Sequence, residues 1–443
     1  MSALLDAMAA AFEAAPATTT DAGGLGEARR AALAAALADG LPTQRMERWR
    51  YATPLRALER RAFAAADTDT DAGVDAAALA AAGIELPPAP RLVFVDGRAS
   101  AALSDLAGLP AGVEVRALSD LLRDPALHPR DVAWLARRFD GADEAFARLN
   151  AALAADGAVI RVDAGVQAEA PLHLLQLASA GASERAWHLR HLVELREDAS
   201  LLLVEQSRSL GAPRPLGNAL AQVHLKPRAT LRHLRVQDEA AGGTALLRTD
   251  AVLAREATYR RCDLELGGGW SRHELNVALQ GEQARLHGHG VLLGGGRRVL
   301  DTRLAIDHVA RDGACDLVWR GLADGRARLA FHGGIRIREG ADGTAAELSN
   351  RNLLLSADAE VDTQPVLEID ADEVQAAHGA TVGRLDPTHL FYLRSRGIPE
   401  AEARRMLTAA FAREVLGVLD HADAEALGLA ALDAALARPG FGA

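Results

Sequence analysis

From Ala158 onward, apolar and polar residues alternate in short runs over roughly two hundred positions. The runs are residues 159–162, 172–175, 201–204, 231–234, 259–266, 274–279, 285–293, 304–309 and 326–337. A period of two predicts strands, and no run of helical period separates them. A small residue opens a strand again and again, at Ala199, Ala229, Ala257, Ala284 and Ala314, in steps of 30, 28, 27 and 30 residues. Each such coil has one apolar row that it cannot bury alone, and stacking the coils completes a core. The pattern therefore predicts a parallel β-helix; a sandwich of meandering strands is the other arrangement it allows.

The flanks read differently. Residues 1 to about 90 are Ala-rich with apolar positions three and four apart, which predicts helices broken by loops at 18–26, 41–43 and 67–73. A strand at 92–95 runs into an Asp96-Gly97 turn, with 113–115 expected to pair beside it, and 118–153 is helical again. Beyond Ile369 the strands give way to helix. Pro399 suits a helical first turn, with Glu400 and Glu402 at the positive end of a helix running to about 419. A last helix is expected at about 423–436, closed by Pro439-Gly440. The expectation is a mainly β protein: an N-terminal mostly helical region over 1–155, a β-helix core over 156–369 and a C-terminal helical region over 370–443.

Composition narrows the function. At 443 residues, 49% hydrophobic and 25% charged, the chain is long enough for a large core and ordinary for a globular protein. It carries 49 basic and 60 acidic side chains, a net charge of −11, which repels nucleic-acid phosphates and anionic lipid. The first residues, with Asp6 and Glu13, read as an amphipathic helix rather than a secretory signal, and no apolar run reaches membrane-spanning length. A cytoplasmic location is expected. The only lysine, Lys226, stands before Pro227 and not in a G-x-x-x-x-G-K-[ST] loop, so ATP hydrolysis by a P-loop is not expected. Two cysteines, Cys262 and Cys315, cannot by themselves hold an iron–sulfur cluster in the usual four-thiolate way.

Few side chains suggest chemistry. His287 and His289, two apart on a strand, point to one face and form a candidate chelating pair, although a packed or solvated pair is the plainer reading. Cys262 and Cys315 read as inert packed thiols. Glu205, Asp250, Asp263, Glu265, Asp301 and Asp307 would serve a β-helical carbohydrate-active hydrolase or lyase as acid–base groups, but no spacing singles out a pair, and solvated strand faces account for them. Trp49 and Tyr51 beside Arg48 and Arg50 read as an anchor for the N-terminal region.

Several segments together carry a resemblance. They are Gly40-Leu-Pro-Thr43 with Glu47-Arg-Trp-Arg-Tyr51, Leu92-Val-Phe-Val-Asp-Gly97, Phe146-x-x-Leu149-Asn150, Pro365-x-Leu367-Glu-Ile369, His378-Gly-Ala-Thr-Val-Gly383 and Phe391-Tyr-Leu-Arg-Ser-Arg-Gly397-Ile398. In this order the chain resembles the SufB/SufD family of iron–sulfur cluster assembly proteins, and its SufD branch in particular, over nearly its whole length. The resemblance implies a right-handed β-helix and a non-catalytic scaffold. It implies pairing with a SufB-like subunit, a SufC-like ATPase docked on the C-terminal region, no cofactor held stably by this chain alone, and a cluster assembled at the interface with SufB. His378, where the β-helix hands over to helices, becomes a candidate iron ligand facing that partner. Arg394, Arg396, Gly397, Ala403, Leu407 and Phe411 become the candidate ATPase surface. In isolation an open β-helix edge would also permit a homodimer. One departure stands out: many SufD sequences resemble V-K-C-S-H-G-A-T, and Ala376 occupies the cysteine position here.

Overall fold

A computed structural model describes residues 2–65, 73–124, 128–438 and 441. Most of the predicted loop at 67–73 and the Pro439-Gly440 pair lie outside the described residues. The chain is mainly β, with 40% of it in strands and 27% in helices, and it winds into a β-solenoid of about eight turns flanked by helices at both ends. Successive strands alternate between two ten-stranded sheets, so each strand's hydrogen-bonded neighbour lies one whole coil away. The register is continuous: Ser200, Thr230, Thr258, Arg285, Ala314, Ala345 and Gln375 stand side by side, spacings of 30, 28, 27, 29, 31 and 30 residues. The sequence period is thus the coil length, with one adjustment. Gly313, not Ala314, is the fifth small residue before a strand.

The corner before these strands has a fixed geometry. Gly165, Asp198, Arg228, Glu256, Gln283, Asp312 and Gly343 all adopt left-handed backbone, φ between 56° and 75° for the residues at this corner. The N–H of each donates to a carbonyl of the next coil, as Arg228 does to Arg255 and Gln283 to Arg311. The ladder of backbone bonds therefore continues around the bend, which holds non-glycine residues in a conformation that costs them about 1 kcal/mol or more.

Inward rows build the core. Leu201, Leu231, Tyr259, Leu286, Cys315, Ala346 and Ala376 form one such row in register. Gly290 sits on another row beside Trp319, and a side chain there would put its Cβ 2.5 Å from the indole nitrogen. The glycines of the Leu286-His-Gly-His-Gly290 run thus make room for a large aromatic in the next coil, while Gly296, at φ 66°, makes the turn that follows.

The outer faces are covered from both ends of the chain. N-terminal helices pack Leu4, Leu5, Met8, Leu33 and Trp49 against Ala186, Leu216, Leu246, Trp270 and Val299 of one sheet. Val415, Leu416, Leu419 and Leu432 cover Leu202, Val204, Leu234, Cys262 and Leu264 of the other. Two expectations need correction. Val113–Ala117 does not lie beside Arg91–Val95; it pairs antiparallel with Ala158–Val162, while Arg91–Val95 joins the opposite sheet beside Gln167–Ala178. The helix starting after Pro399 stops at Arg413, and Leu416–Leu419 forms a 3₁₀ turn ended by Asp420 at φ 50°. Val415, just before it, and its Leu416, Val418 and Leu419 are all buried, the three-residue period placing them in two adjacent rows.

Candidate partner interface

The two ends of the stack differ. At the first end, Arg98–Ala99 and Val113–Ala117 close the sheets with antiparallel pairs. At the other end the strands Glu360–Ile369 and Gln375–Gly383 each have a neighbour on one side only, and their residues are half-buried or exposed where earlier strands are buried. The stack thus runs past Ile369, and His378 lies on its last strand, directly before the helix that opens at Pro387. His378 is exposed, in register with buried Leu348 on an inward row. Ala376, two residues earlier, continues the row that holds Ala346 and Cys315. Among the described residues no group of three or more His, Cys, Asp or Glu side chains could hold a metal ion, and His378 is part of no such group.

The C-terminal region follows directly from this open end in the chain and lies back over earlier strands of the same sheet. Asp386 caps the helix Pro387–Ser395, its carboxylate accepting from the Thr388 N–H at 2.7 Å, and none of that helix's side chains is buried. Gly397, at φ 86°, ends it, with the Gly397 N–H donating to Arg394 and the Ile398 N–H to Leu393. Arg394 pairs with Glu400 at 3.3 Å, and Arg396 lies over the Tyr392 ring. These exposed groups share a surface with Phe391, 71% exposed, and Tyr392, 56% exposed, an aromatic pair that nothing local in the sequence marks as exposed. The other candidates are placed differently. Ala403 is fully buried, Leu407 is half-buried, and Phe411 packs on the protein's own core under Arg320. Periodicity found the apolar stripe of Glu400–Arg413 but could not say that the solenoid itself occupies much of it.

The remaining candidates are structural. His289 lies 3.1 Å from Asp316 and 3.2 Å from the Val415 carbonyl, tying the C-terminal region to the solenoid, and His287 is partly covered beside it. Cys262 faces outward beneath the C-terminal helices, and burial pushes its thiol pKa well up. Cys315 faces inward, 3.3 Å from His308, and burial pushes it up to about 12. Neither thiol ionises near neutral pH. Trp49 is buried, donates its indole N–H to the Asp143 carbonyl at 2.9 Å, and lies under Arg272 at 3.9 Å.

Except for Asp307, which pairs with Arg338 on an exposed face, the strand carboxylates do not sit on solvated faces. Glu205, Asp250, Asp263, Glu265 and Asp301 are all buried. Arg235 bonds both Asp263 and Glu265, Arg261 takes Asp263 at 2.8 Å, and His233 stands 3.1 Å from Glu205, all inside the solenoid. Although desolvation works against it, hydrogen bonding and charge from His233 hold the Glu205 carboxyl down at about 2. A buried carboxylate is tolerable only when paired, and here arginines and histidines on neighbouring coils supply the pairing. Carboxylates so engaged have neither the solvent access nor the free proton that glycoside hydrolysis requires.

Comparison with known proteins agrees with this architecture. The SufBD protein N-terminal region matches residues 14–174, and the SufBD core domain of SUF-system FeS cluster assembly matches residues 177–411. The iron–sulfur cluster assembly protein SufD of Escherichia coli is 34% identical over 388 residues, covering 86% of each chain. A SufBD family protein of Synechocystis is 31% identical over 388 residues, 85% of this chain and 83% of that protein. SufD of Bacillus subtilis is 29% identical over 273 residues, covering 61% of this chain and 62% of its own.

Proposed function

Because this chain belongs to the SufBD family of iron–sulfur cluster assembly proteins, we propose that it is a non-catalytic scaffold subunit, working in the cytoplasm, that pairs through the open end of its solenoid and docks an ATPase on its C-terminal region. The observation that carries this reading is the difference between the two ends: short antiparallel strands, Arg98–Ala99 and Val113–Ala117, finish the first, whereas the last coil presents the long strands Glu360–Ile369 and Gln375–Gly383, whose residues are exposed or half-buried. An unpaired edge is a template for another strand, and a SufB-like subunit is the partner this reading assigns to it. His378 on that terminal coil would then reach a cluster forming between the subunits, lending one imidazole to thiolates that the partner provides. The SufC-like ATPase is assigned to the exposed surface of Phe391, Tyr392, Arg394 and Arg396, on the helix that follows the open end in the chain. Closure of the ATPase on its nucleotide would shift the population of the paired scaffold between closed and opened interfaces.

Co-expression with SufB-like and SufC-like partners tests the reading. A stable three-component complex is the expected result, lost on adding bulk to the edge by Thr381→Trp and weakened toward the ATPase alone by Phe391→Asp. His378→Ala should leave the complex intact while lowering cluster yield; full yield would reduce His378 to a surface residue. An isolated chain that ignores both partners sinks the proposal. The same edge fits a second copy of the chain, so light scattering of the pure protein is expected to show a dimer that the SufB-like subunit displaces.

A further inference from the structure

The two strands that end the stack are not equivalent, and the phase of their backbone bonds separates them. The Glu360 N–H donates to the Ala327 carbonyl at 3.0 Å, and the Asp370 N–H to the Ile337 carbonyl at 2.8 Å. Backbone groups alternate sides along a strand, so the even-numbered residues of Glu360–Ile369 bond the previous coil and the odd-numbered ones face the open side. Pro365 falls in the middle of that open set. It has no N–H to give, and its ring stands where a neighbouring strand would have to approach. The outward side chains of this strand include Glu360, Asp362 and Glu368.

The last strand has the opposite phase. The Gln375 N–H donates to the Thr344 carbonyl at 2.9 Å, which leaves Ala376, His378, Ala380 and Val382 facing the open side with their N–H and C=O groups in an unbroken row. Its outward side chains carry no charge. A Cβ placed at Gly379 or Gly383 would meet nothing within 4 Å, and neither residue has positive φ, so neither glycine serves the chain's own packing or bending.

We propose that Gln375–Gly383 is the edge that takes a strand of the SufB-like subunit, while Pro365 and the carboxylates beside it keep a strand off Glu360–Ile369. This rests on the pairing proposed above and names the strand that performs it. Proline and charge are the devices by which a sheet edge refuses a neighbour, whereas glycine in a strand marks a place where another backbone comes close. The contact is therefore one added strand on one sheet, not a continuation of the whole coil.

Amide hydrogen exchange of the full chain, alone and with the SufB-like subunit, tests this directly. Exchange over 376–382 should slow by roughly tenfold or more in the complex, and exchange over 361–369 by about twofold at most. Two variants read the same point as affinity. Ala380→Pro removes a donor that bonds nothing within the chain, and should weaken the complex roughly tenfold while melting with the wild type. Pro365→Ala supplies the missing donor, and should leave affinity within about twofold. Protection of 361–369 equal to that of 376–382, or a complex tightened by Pro365→Ala, overturns the choice of strand and leaves the pairing standing. A wild-type chain that forms no complex with the SufB-like subunit overturns the pairing and this assignment with it.

Discussion

Arg48 joins parts of the chain that sequence distance keeps apart. Its guanidinium meets Glu144, and, 226 residues on, Glu274, whose carboxyl is held well down by Arg272, Arg48 and Arg248 against the cost of burial. Trp49 beside it was legible as an anchor from its type and setting; Glu274 was not, because nothing local marks a strand carboxylate as buried. The same gap explains why Asp263 and Glu265 looked solvated: alternation tells which side of a strand a residue takes, while the partner that makes a charge tolerable inside comes from another coil. Arg48→Ala leaves Glu144 and Glu274 with fewer cationic partners in a covered site, and should lower stability by about 3 kcal/mol, read from urea unfolding monitored through tryptophan fluorescence. A loss below about 1 kcal/mol would mean that Arg248 and Arg272 suffice and that Arg48 is a surface residue in effect.

At the scale of one coil, the signal that could be read was the small residue before each strand; the residue that sets the bend could not. Asp198, Arg228, Glu256, Gln283, Asp312 and Gly343 share one backbone conformation and almost no side-chain chemistry, so a search by residue type passes over them. What they share is a backbone N–H bonded to the adjacent coil. Gln283 is exposed at φ 59°, so its left-handed cost is not offset by burial of its side chain. Gln283→Gly should therefore stabilise the fold by about 0.5 kcal/mol, the relief at φ > 0 exceeding the added freedom of the unfolded chain. Gln283→Val should destabilise it by about 1–2 kcal/mol. Urea midpoints that fail to rank Gly above Gln above Val would show that the corner relaxes on substitution. The terminal coil follows from the same geometry: its residues were visible as a motif, but only the register shows that Gln375–Gly383 is one more rung and that none of the described residues pairs beyond it.

Taken as a whole, the molecule encloses ionisable groups that respond to acid in opposite directions, and their pH windows decide the outcome. Burial holds His188 down at about 3 and His224 and His308 at about 4, against an ordinary value of 6.5. It also lowers His173, His191, His233 and His273. A folded pKa below the unfolded one means that the unfolded chain binds more protons once the pH drops under about 6.5, so stability falls from there downward. Asp156, Glu239 and Asp301 act in the other sense, since burial raises them and the folded state takes their protons more readily. Their stabilising effect sets in as the pH falls through their raised folded values and is complete at the ordinary carboxylate value, so it offsets part of the histidine loss. His188, His224 and His308 should each cost on the order of 1–2 kcal/mol by pH 5. Glu205 extends the loss below about pH 4.5, because its folded value of about 2 makes the unfolded carboxylate the better base. Unfolding free energy measured in urea at pH 7.5, 6 and 5 should accordingly decline by several kcal/mol, most of it between the last two values. His188→Gln should flatten that decline by about one proton's share without altering the rest. A profile level from pH 7.5 to 5 would require these imidazoles to be protonated inside the solenoid, which the crowding of Arg235 and Arg261 around His233 and His273 opposes.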